Sequence, residues 1–349
     1  MIGELVPVRF DPETADRQAW KRFHDLRRVE HAELRPDDPV RPDEIVEISM
    51  KRPDPFDFHY YFEIARDGVA ISSFRGGAVT PENPEYATNK HLFWADAYVR
   101  PEHRRKGLAS LYLPVVAELM DQRGATVFSV DSANDDGHAF VKWLGAAPKL
   151  TDIESRLELA KVDWSMVERW TREGQERSPD TRLEIYDGPL PEEMWPDYAA
   201  QRTRLLNTMP LEDFDMGDII VTPERIRDWV ERAEEQQMIW YTVLTREPNG
   251  TISGMTDVEW TPYGRKQIQQ QFTGVDPAAR GRGIGKWIKA AMLLHLRDLH
   301  PDAEWVVTDN AHSNGPMLKI NRTLGFAPYR TLISYQISRE DLGKRISSL

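Results

Sequence analysis

Two glycine-rich turns, 176 residues apart, carry residue types suited to holding phosphate. The first reads VRPEHRRKGLA from Val99, and the second reads VDPAARGRGIGK from Val275. Glycine lets the backbone come close to a ligand, and N–H groups at a helix N-terminus attract phosphate oxygens. The second turn is not a P-loop, because Arg280 and Trp287 stand where that motif needs glycine and a hydroxyl residue, and its glycine spacing does not fit a dinucleotide site.

The elements around each turn follow one pattern, which predicts two copies of one domain. Each copy has an amphipathic helix, two strands joined by a Gly-containing turn, and a third strand that leads into the glycine-rich turn. A helix, a short buried strand, a second helix ending at Leu-Gly and a last strand follow. We expect domains at residues 1–161 and 183–349, joined by a helical linker at 162–182. In the first copy, a helix from Leu108 would contain Pro114, which would remove a backbone hydrogen bond.

Composition excludes several classes of function. The 349 residues include no cysteine, which removes disulfides, thiol nucleophiles and cysteine–metal sites. The net charge is -12, which argues against nucleic-acid binding. No apolar run is long enough for a membrane span, and the start has no secretory signal pattern, so we expect a cytoplasmic protein that does not bind membranes. The histidines form no metal-binding pattern, so we expect no metal.

The shared pattern V-x-P, [QR]-x-x-G-x-[GA], between a strand and a helix and followed by Leu-Gly, resembles motif A of the GNAT superfamily of acyl-CoA-dependent N-acyltransferases. The resemblance covers both copies, and the tandem arrangement is similar to two-domain actinobacterial members. It implies an α+β protein with two tandem GNAT folds, each a mixed, mostly antiparallel central sheet flanked by helices. It also implies acetyl-CoA as cosubstrate and an acyl transfer to an amine.

By position, the resemblance assigns the CoA-binding groups of the second copy. These are Val275, Arg280, Arg282, Gly283, Ile284, Gly285, Lys286, Asn310, Asn314 and Asn321. The family often has a tyrosine at the position of Asn321, where it protonates the departing thiolate. Asparagine cannot do so, which leaves the acid to another group or to water.

The first copy keeps only part of this set. Its possible cofactor groups are Val99, Arg104, Gly107 and Ala109. Acidic Asp135 and Asp136 stand where CoA phosphates would lie close, so we expect this copy to be largely structural.

A carboxylate pair precedes the second turn. Asp257 and Glu259 are two residues apart on a strand, so alternation puts them on one face. An amine must lose a proton before it attacks a thioester, and a carboxylate is a suitable base. Glu259 is the first choice, with Asp257 as a neighbour whose charge raises its pKa. The alternative is a solvated pair on an exposed strand edge. Phe74 and Arg75 stand at the matching place of the first copy.

The resulting hypothesis is an N-acetyltransferase whose second copy moves the acetyl group of acetyl-CoA to a primary amine of a small molecule, by direct attack in a ternary complex. The acidic segment from Glu212 to Asp218 could attract a cationic amine, although a solvated loop is the simpler interpretation. The different-class alternative is a non-catalytic CoA-binding sensor or scaffold. A monomer and a homodimer are both consistent with the sequence.

Overall fold

The computed structural model describes residues 5–349, which form two compact units. The first unit comprises residues 5–151, 211–218 and 332–349, and the second comprises residues 152–210 and 219–331. Each unit contains one mixed, mostly antiparallel sheet with helices packed on it, which confirms the predicted fold class.

The elements appear in the predicted order in both halves of the chain. The first half forms β1 (Val8–Phe10), α1 (Arg17–Leu34), α2 (Asp43–Lys51), β2 (Asp57–Arg66), β3 (Val69–Val79), α3 (Tyr86–Asn89), β4 (Leu92–Val99), α4 (Leu113–Arg123), β5 (Val127–Ser132) and α5 (Asp135–Leu144). The second half forms β6 (Ala147–Glu158), α6 (Trp164–Arg177), β7 (Arg182–Asp187), α7 (Trp195–Leu206), α8 (Pro223–Glu235), β8 (Ile239–Arg246), β9 (Ile252–Trp260), β10 (Gln267–Val275), α9 (Ile284–Leu299), β11 (Trp305–Ala311), α10 (Gly315–Leu324), β12 (Ala327–Ser338) and α11 (Arg339–Ile346).

The last strand of each sequence copy completes the sheet of the other unit. Residues 152–158 of β6 pair antiparallel with β11, and residues 333–338 of β12 pair antiparallel with β5. The predicted division at 161 and 183 differs from the compact units by this exchange. Hydrophobic alternation predicts that a strand forms, but it does not specify which strand pairs with it.

The helix that follows each glycine-rich turn packs on its own sheet. In the second unit α9 begins directly at Ile284, and its apolar stripe joins a core with Val258 and Ile268 of the sheet. In the first unit the turn leads into a 3-10 helix, Ala109–Tyr112, and α4 begins only at Leu113. Pro114 therefore lies in the first helical turn, where its missing N–H has no helical acceptor to lose. The predicted helix start at Leu108 and the predicted lost bond are wrong for this reason.

A V-shaped opening forms in the second sheet where β10 separates from β11. These parallel strands pair only from Gln267 to Gln270, whereas β10 stays paired with β9 as far as Val275. A β-bulge between Gln270 and Phe272 lies at the point of separation. The first sheet has a similar opening, since β4 pairs with β5 only as far as Trp94, but the β3–β4 register runs without a shift.

Candidate functional site

The glycine-rich turn of the second unit stands between β10, at the end that leaves β11, and the N-terminus of α9. Gly281 and Gly283 have φ of +80° and +87°, a conformation that side chains disfavour. A Cβ on Gly285 would come within 3.5 Å of the side chain of Val275. Ile284 is buried in the core, so it offers the turn its backbone alone. The first amides of α9 have no acceptor within the helix, which leaves them available to an anion.

The cationic side chains of this turn already have partners. Arg280 donates from Nε to the carbonyl oxygen of Val275 at 3.2 Å, which closes the turn on itself. Arg282 forms an ion pair with Glu247 at 2.9 Å. Lys286 places its ammonium 4.8 Å from the centre of a tryptophan ring of α6. The turn can therefore offer phosphate mainly its backbone amides, with the arginines holding its shape.

The three predicted asparagines divide into a cap and a pair. The side chain of Asn314 caps α10 by accepting from the amide of Met317 at 3.4 Å. Asn321 donates from Nδ2 to Oδ1 of Asn310 at 2.6 Å, which ties α10 to β11. Asn321 is only 2% exposed, and its Oδ1 has no hydrogen-bond partner among residues 5–349. A buried acceptor without a partner is costly, so this oxygen is a place where a ligand donor would be stabilising.

Asp257 is committed to a buried network on the face of the sheet that meets α7. It accepts hydrogen bonds from Tyr198 at 3.0 Å and from Thr242 at 3.1 Å, and it forms an ion pair with Arg202. The carboxylate is 4% exposed. With its oxygens shared among these donors, Asp257 is placed to hold the local structure together rather than to take a proton from a substrate.

Glu259 lies on the same face and has a different environment. It is half-buried and accepts a hydrogen bond from Nε2 of Gln271, the bulged residue, at 2.8 Å. Burial is the largest influence on its carboxyl group and raises its pKa to about 7; the charge of Asp257 acts in the same direction, while hydrogen bonds from Trp240 and Gln271 oppose it. The sequence argument had attributed the shift to Asp257, which is a smaller contribution than burial.

Lys289 is a site residue that the sequence analysis missed. It lies on α9, is 3% exposed, and donates from Nζ to Oε1 of Gln270 at 3.2 Å. Burial lowers its pKa to about 7. Its position in the apolar stripe of α9, between Ile288 and Ala290, is the signal that could have identified it, because a lysine there must be buried.

The turn of the first unit repeats the geometry of the second. Arg104 donates from Nε to the carbonyl oxygen of Val99 at 2.9 Å, as Arg280 does in the second unit. Gly107 has φ of +77°, and Ala109 starts the 3-10 helix.

The charges around the first turn differ. Asp136, in the first turn of α5, forms ion pairs with Arg104 at 3.2 Å and with Arg105 at 2.6 Å. Glu33 forms a second ion pair with Arg104 at 2.7 Å. The hydrogen bond from Arg105 is the largest cause that holds the pKa of Asp136 below its usual value, so this carboxyl is ionised at neutral pH. Carboxylates therefore occupy the arginines beside the turn, and the residues present do not fit a pyrophosphate.

The acidic segment after α7 belongs to the first unit. Asp213 donates its amide to the carbonyl of Lys149 at 3.1 Å, Asp215 lies 3.2 Å from His91, and Asp218 accepts from Asn89 at 3.2 Å. The suggestion that this segment closes over an acceptor in the second copy is wrong on this evidence, because its contacts are with residues of the first unit.

Two further searches of residues 5–349 bear on the site. No group of three or more His, Cys, Asp or Glu side chains there could hold a metal ion. None of the helices in the same range is long and apolar enough to cross a bilayer.

The sequence matches known acetyltransferases over part of its length. A model described as the acetyltransferase (GNAT) family matches residues 20–146. Two relatives are described as mycothiol acetyltransferase. The one from Thermomonospora curvata is 29% identical over 167 residues, covering 44% of this chain and 53% of that protein. The one from Salinispora tropica is 32% identical over 98 residues, covering 27% and 31%. The chain thus spans about half the length of the first relative and less of the second.

Solved structures share the fold over nearly the whole chain. A tandem GNAT protein from the clavulanic acid biosynthesis pathway has a TM-score of 0.72 and 18% identity, covering 96% of this chain and 98% of that one. A GCN5-related N-acetyltransferase from Sphaerobacter thermophilus has a TM-score of 0.58 and 14% identity, covering 85% and 86%. The sequence matches and the shared fold place this chain in the GNAT family, as a protein with two GNAT folds in tandem.

Proposed function

We propose that the second unit is an N-acetyltransferase that moves the acetyl group of acetyl-CoA to a primary amine of a small molecule, by direct attack in a ternary complex. The observation that carries this proposal is the position of Glu259 beside a β-bulge, at the root of an opening that leads to a glycine turn with free helix amides. The first unit, with its arginines paired to carboxylates, would be structural.

The residues present in the second unit fit CoA. The amides of the turn from Gly281 to Gly285 would bind the pyrophosphate, and the unpartnered Oδ1 of Asn321 would accept a hydrogen bond from the ligand. CoA supplies the acyl group as a thioester, which is open to attack by an amine. The acidic surroundings of Glu259 favour binding of the amine in its protonated form.

Glu259 would act as the general base. With a pKa of about 7, its carboxylate is populated at neutral pH and is basic enough to take a proton from an ammonium group, directly or through water. The GNAT family match and the relatives described as mycothiol acetyltransferase support acetyl transfer to a small-molecule amine. The family match falls on the first copy, which keeps the motif residues although its charges are internally paired.

A pair of matched variants tests which unit binds CoA. Gly107 and Gly283 occupy corresponding positions with φ of +77° and +87°, so Gly107→Asp and Gly283→Asp impose the same strain and the same charge. We expect calorimetry to show one CoA bound per chain, with binding lost in Gly283→Asp and retained in Gly107→Asp. The reverse pattern would move the site to the first unit.

Turnover separates an enzyme from a sensor. Thiol release from acetyl-CoA should be slow alone and should accelerate with at least one amine of a panel of small primary amines. The wild-type protein binding acetyl-CoA tightly without turnover on any amine would favour the CoA sensor, which the asparagine at position 321 makes the second candidate.

A further inference from the structure

Lys289 carries a buried charge that the proposed reaction has not yet used. Its Nζ has one hydrogen-bond acceptor, Gln270, and the ring of Phe326 lies with its centre 5.6 Å away. No ion pair to Lys289 is found in the part of the chain that the structure describes. A buried ammonium without a carboxylate is destabilising, so a retained one calls for a partner that the folded chain does not itself supply.

The location of Lys289 is the root of the opening between β10 and β11. Gln270, which it contacts, is the last residue of β10 that pairs with β11. The amide of Gln270 is fixed by three bonds of its own, from Nε2 to the hydroxyl of Thr256 and to the carbonyls of Asp257 and Phe272. The ammonium is therefore held at a fixed point.

Glu259 and Lys289 lie on opposite faces of the sheet at this bulge. Val258 packs into the core against α9, so its neighbour Glu259 points to the face of α7. The bulged residue Gln271 donates to Glu259, while the preceding Gln270 accepts from Lys289. A carboxylate and an ammonium thus flank the same two residues of β10 from the two sides.

We propose that Lys289 gives the departing CoA thiolate its proton, in place of the tyrosine that the family often uses. The inference rests on the proposed function of the second unit. The amine nitrogen forms a bond to the acyl carbon and loses a proton to Glu259. The carbon–sulfur bond breaks with its electron pair on sulfur, and the sulfur takes a proton from the Lys289 ammonium. Solvent then returns a proton to the neutral lysine and removes one from Glu259.

The electrostatics agree with this role. Burial alone lowers the pKa of Lys289, and no charged group on the elements packed against α9, namely α6, β8, β9 and β10, contributes to the shift. At about 7, this pKa lies below the roughly 8.5 of an ordinary thiol, so proton transfer to sulfur is favourable. The first unit has Leu113 at the corresponding position, 176 residues earlier, where it is part of an apolar core.

The first test needs no acceptor. Thiolate absorbance of bound CoA is titrated in the wild type, in Lys289→Met and in the matched control Leu113→Met. A nearby ammonium stabilises a thiolate. We expect the acid constant of the bound thiol to be at least about tenfold higher in the wild type and the control than in Lys289→Met. Equal values would overturn the proposal. If Lys289→Met does not fold, a wild-type bound thiol no more acidic than free CoA overturns it equally.

The second test uses turnover with an accepted amine. Lys289→Met should lower kcat by about 10²-fold, leave the CoA dissociation constant unchanged and abolish the fall of kcat on the alkaline side of the pH profile. An unchanged kcat with the alkaline limb intact would overturn the role of Lys289 alone. Failure of the wild type to bind CoA would instead overturn the proposed function.

Discussion

At the level of single residues, the chemistry of the second unit depends on two groups whose burial moves them toward neutrality from opposite directions. Burial raises the pKa of Glu259 to about 7 and lowers that of Lys289 to about 7. A base must be ionised and an acid must be protonated, so the proposed reaction is fastest where both conditions hold. We expect a bell-shaped pH profile for kcat with its maximum close to pH 7.

Glu259→Gln keeps the shape of the side chain and removes its charge. We expect kcat/KM to fall by about 10²-fold or more, because the amine must then lose its proton without help. The acid limb of the profile should disappear, and the rate should recover partly at high pH, where free amine is abundant. The exposed Glu304→Gln, which breaks only a surface ion pair with Lys266, serves as the control. Near wild-type turnover in Glu259→Gln would remove it from the mechanism.

Asp257→Asn tests whether Asp257 has a structural or a chemical role. The substitution leaves the Arg202 guanidinium buried without its counter-charge, a change that typically costs about 3–5 kcal/mol. We therefore expect a large drop in the midpoint of denaturant unfolding. CoA affinity should stay unchanged at a temperature where the variant is folded. An unaltered midpoint together with lost turnover would restore Asp257 to the catalytic site.

At the level of elements, the sequence predicted the strands, the helices and the order in which they occur, because hydrophobic period and glycine position are local properties. It also predicted that the turn residues meet at one helix N-terminus. It did not predict that the arginines Arg280 and Arg104 would bond to the carbonyls that precede them. The role of Lys289 was also missed, because its chemistry depends on the register of β10 against β11.

The contact between α10 and β11 gives a prediction for the CoA site. Asn321→Ala removes the bond to Asn310 and the unpartnered oxygen that we assign to ligand binding. We expect CoA affinity to fall by about tenfold, the value of one hydrogen bond, while kcat at saturating CoA changes little. Calorimetry and initial rates measure the two effects. A collapse of kcat with unchanged affinity would give Asn321 a catalytic role and weaken the case for Lys289.

At the level of the whole molecule, the exchange of last strands makes each unit depend on a segment from the other half of the sequence. No local pattern specifies this exchange, since β6 and β12 have the same alternation and each could in principle complete its own copy. The same sequence pattern is therefore consistent with two pairings, and only the register of β6 with β11 and of β12 with β5 separates them.

Fragments of the chain test the exchange directly. Residues 183–349, the domain boundary expected from sequence, lack both the segment of β6 that pairs with β11 and the helix α6, whose Val167 and Trp170 lie in the core. We expect this fragment to aggregate, because an unpaired strand edge and an uncovered core face are both exposed. Residues 152–331 keep β6 and α6, so this fragment should melt cooperatively by circular dichroism and bind one CoA by calorimetry. If 183–349 instead folds cooperatively and binds CoA as tightly as 152–331, then β12 can replace β6 beside β11, and each copy of the sequence is able to fold by itself.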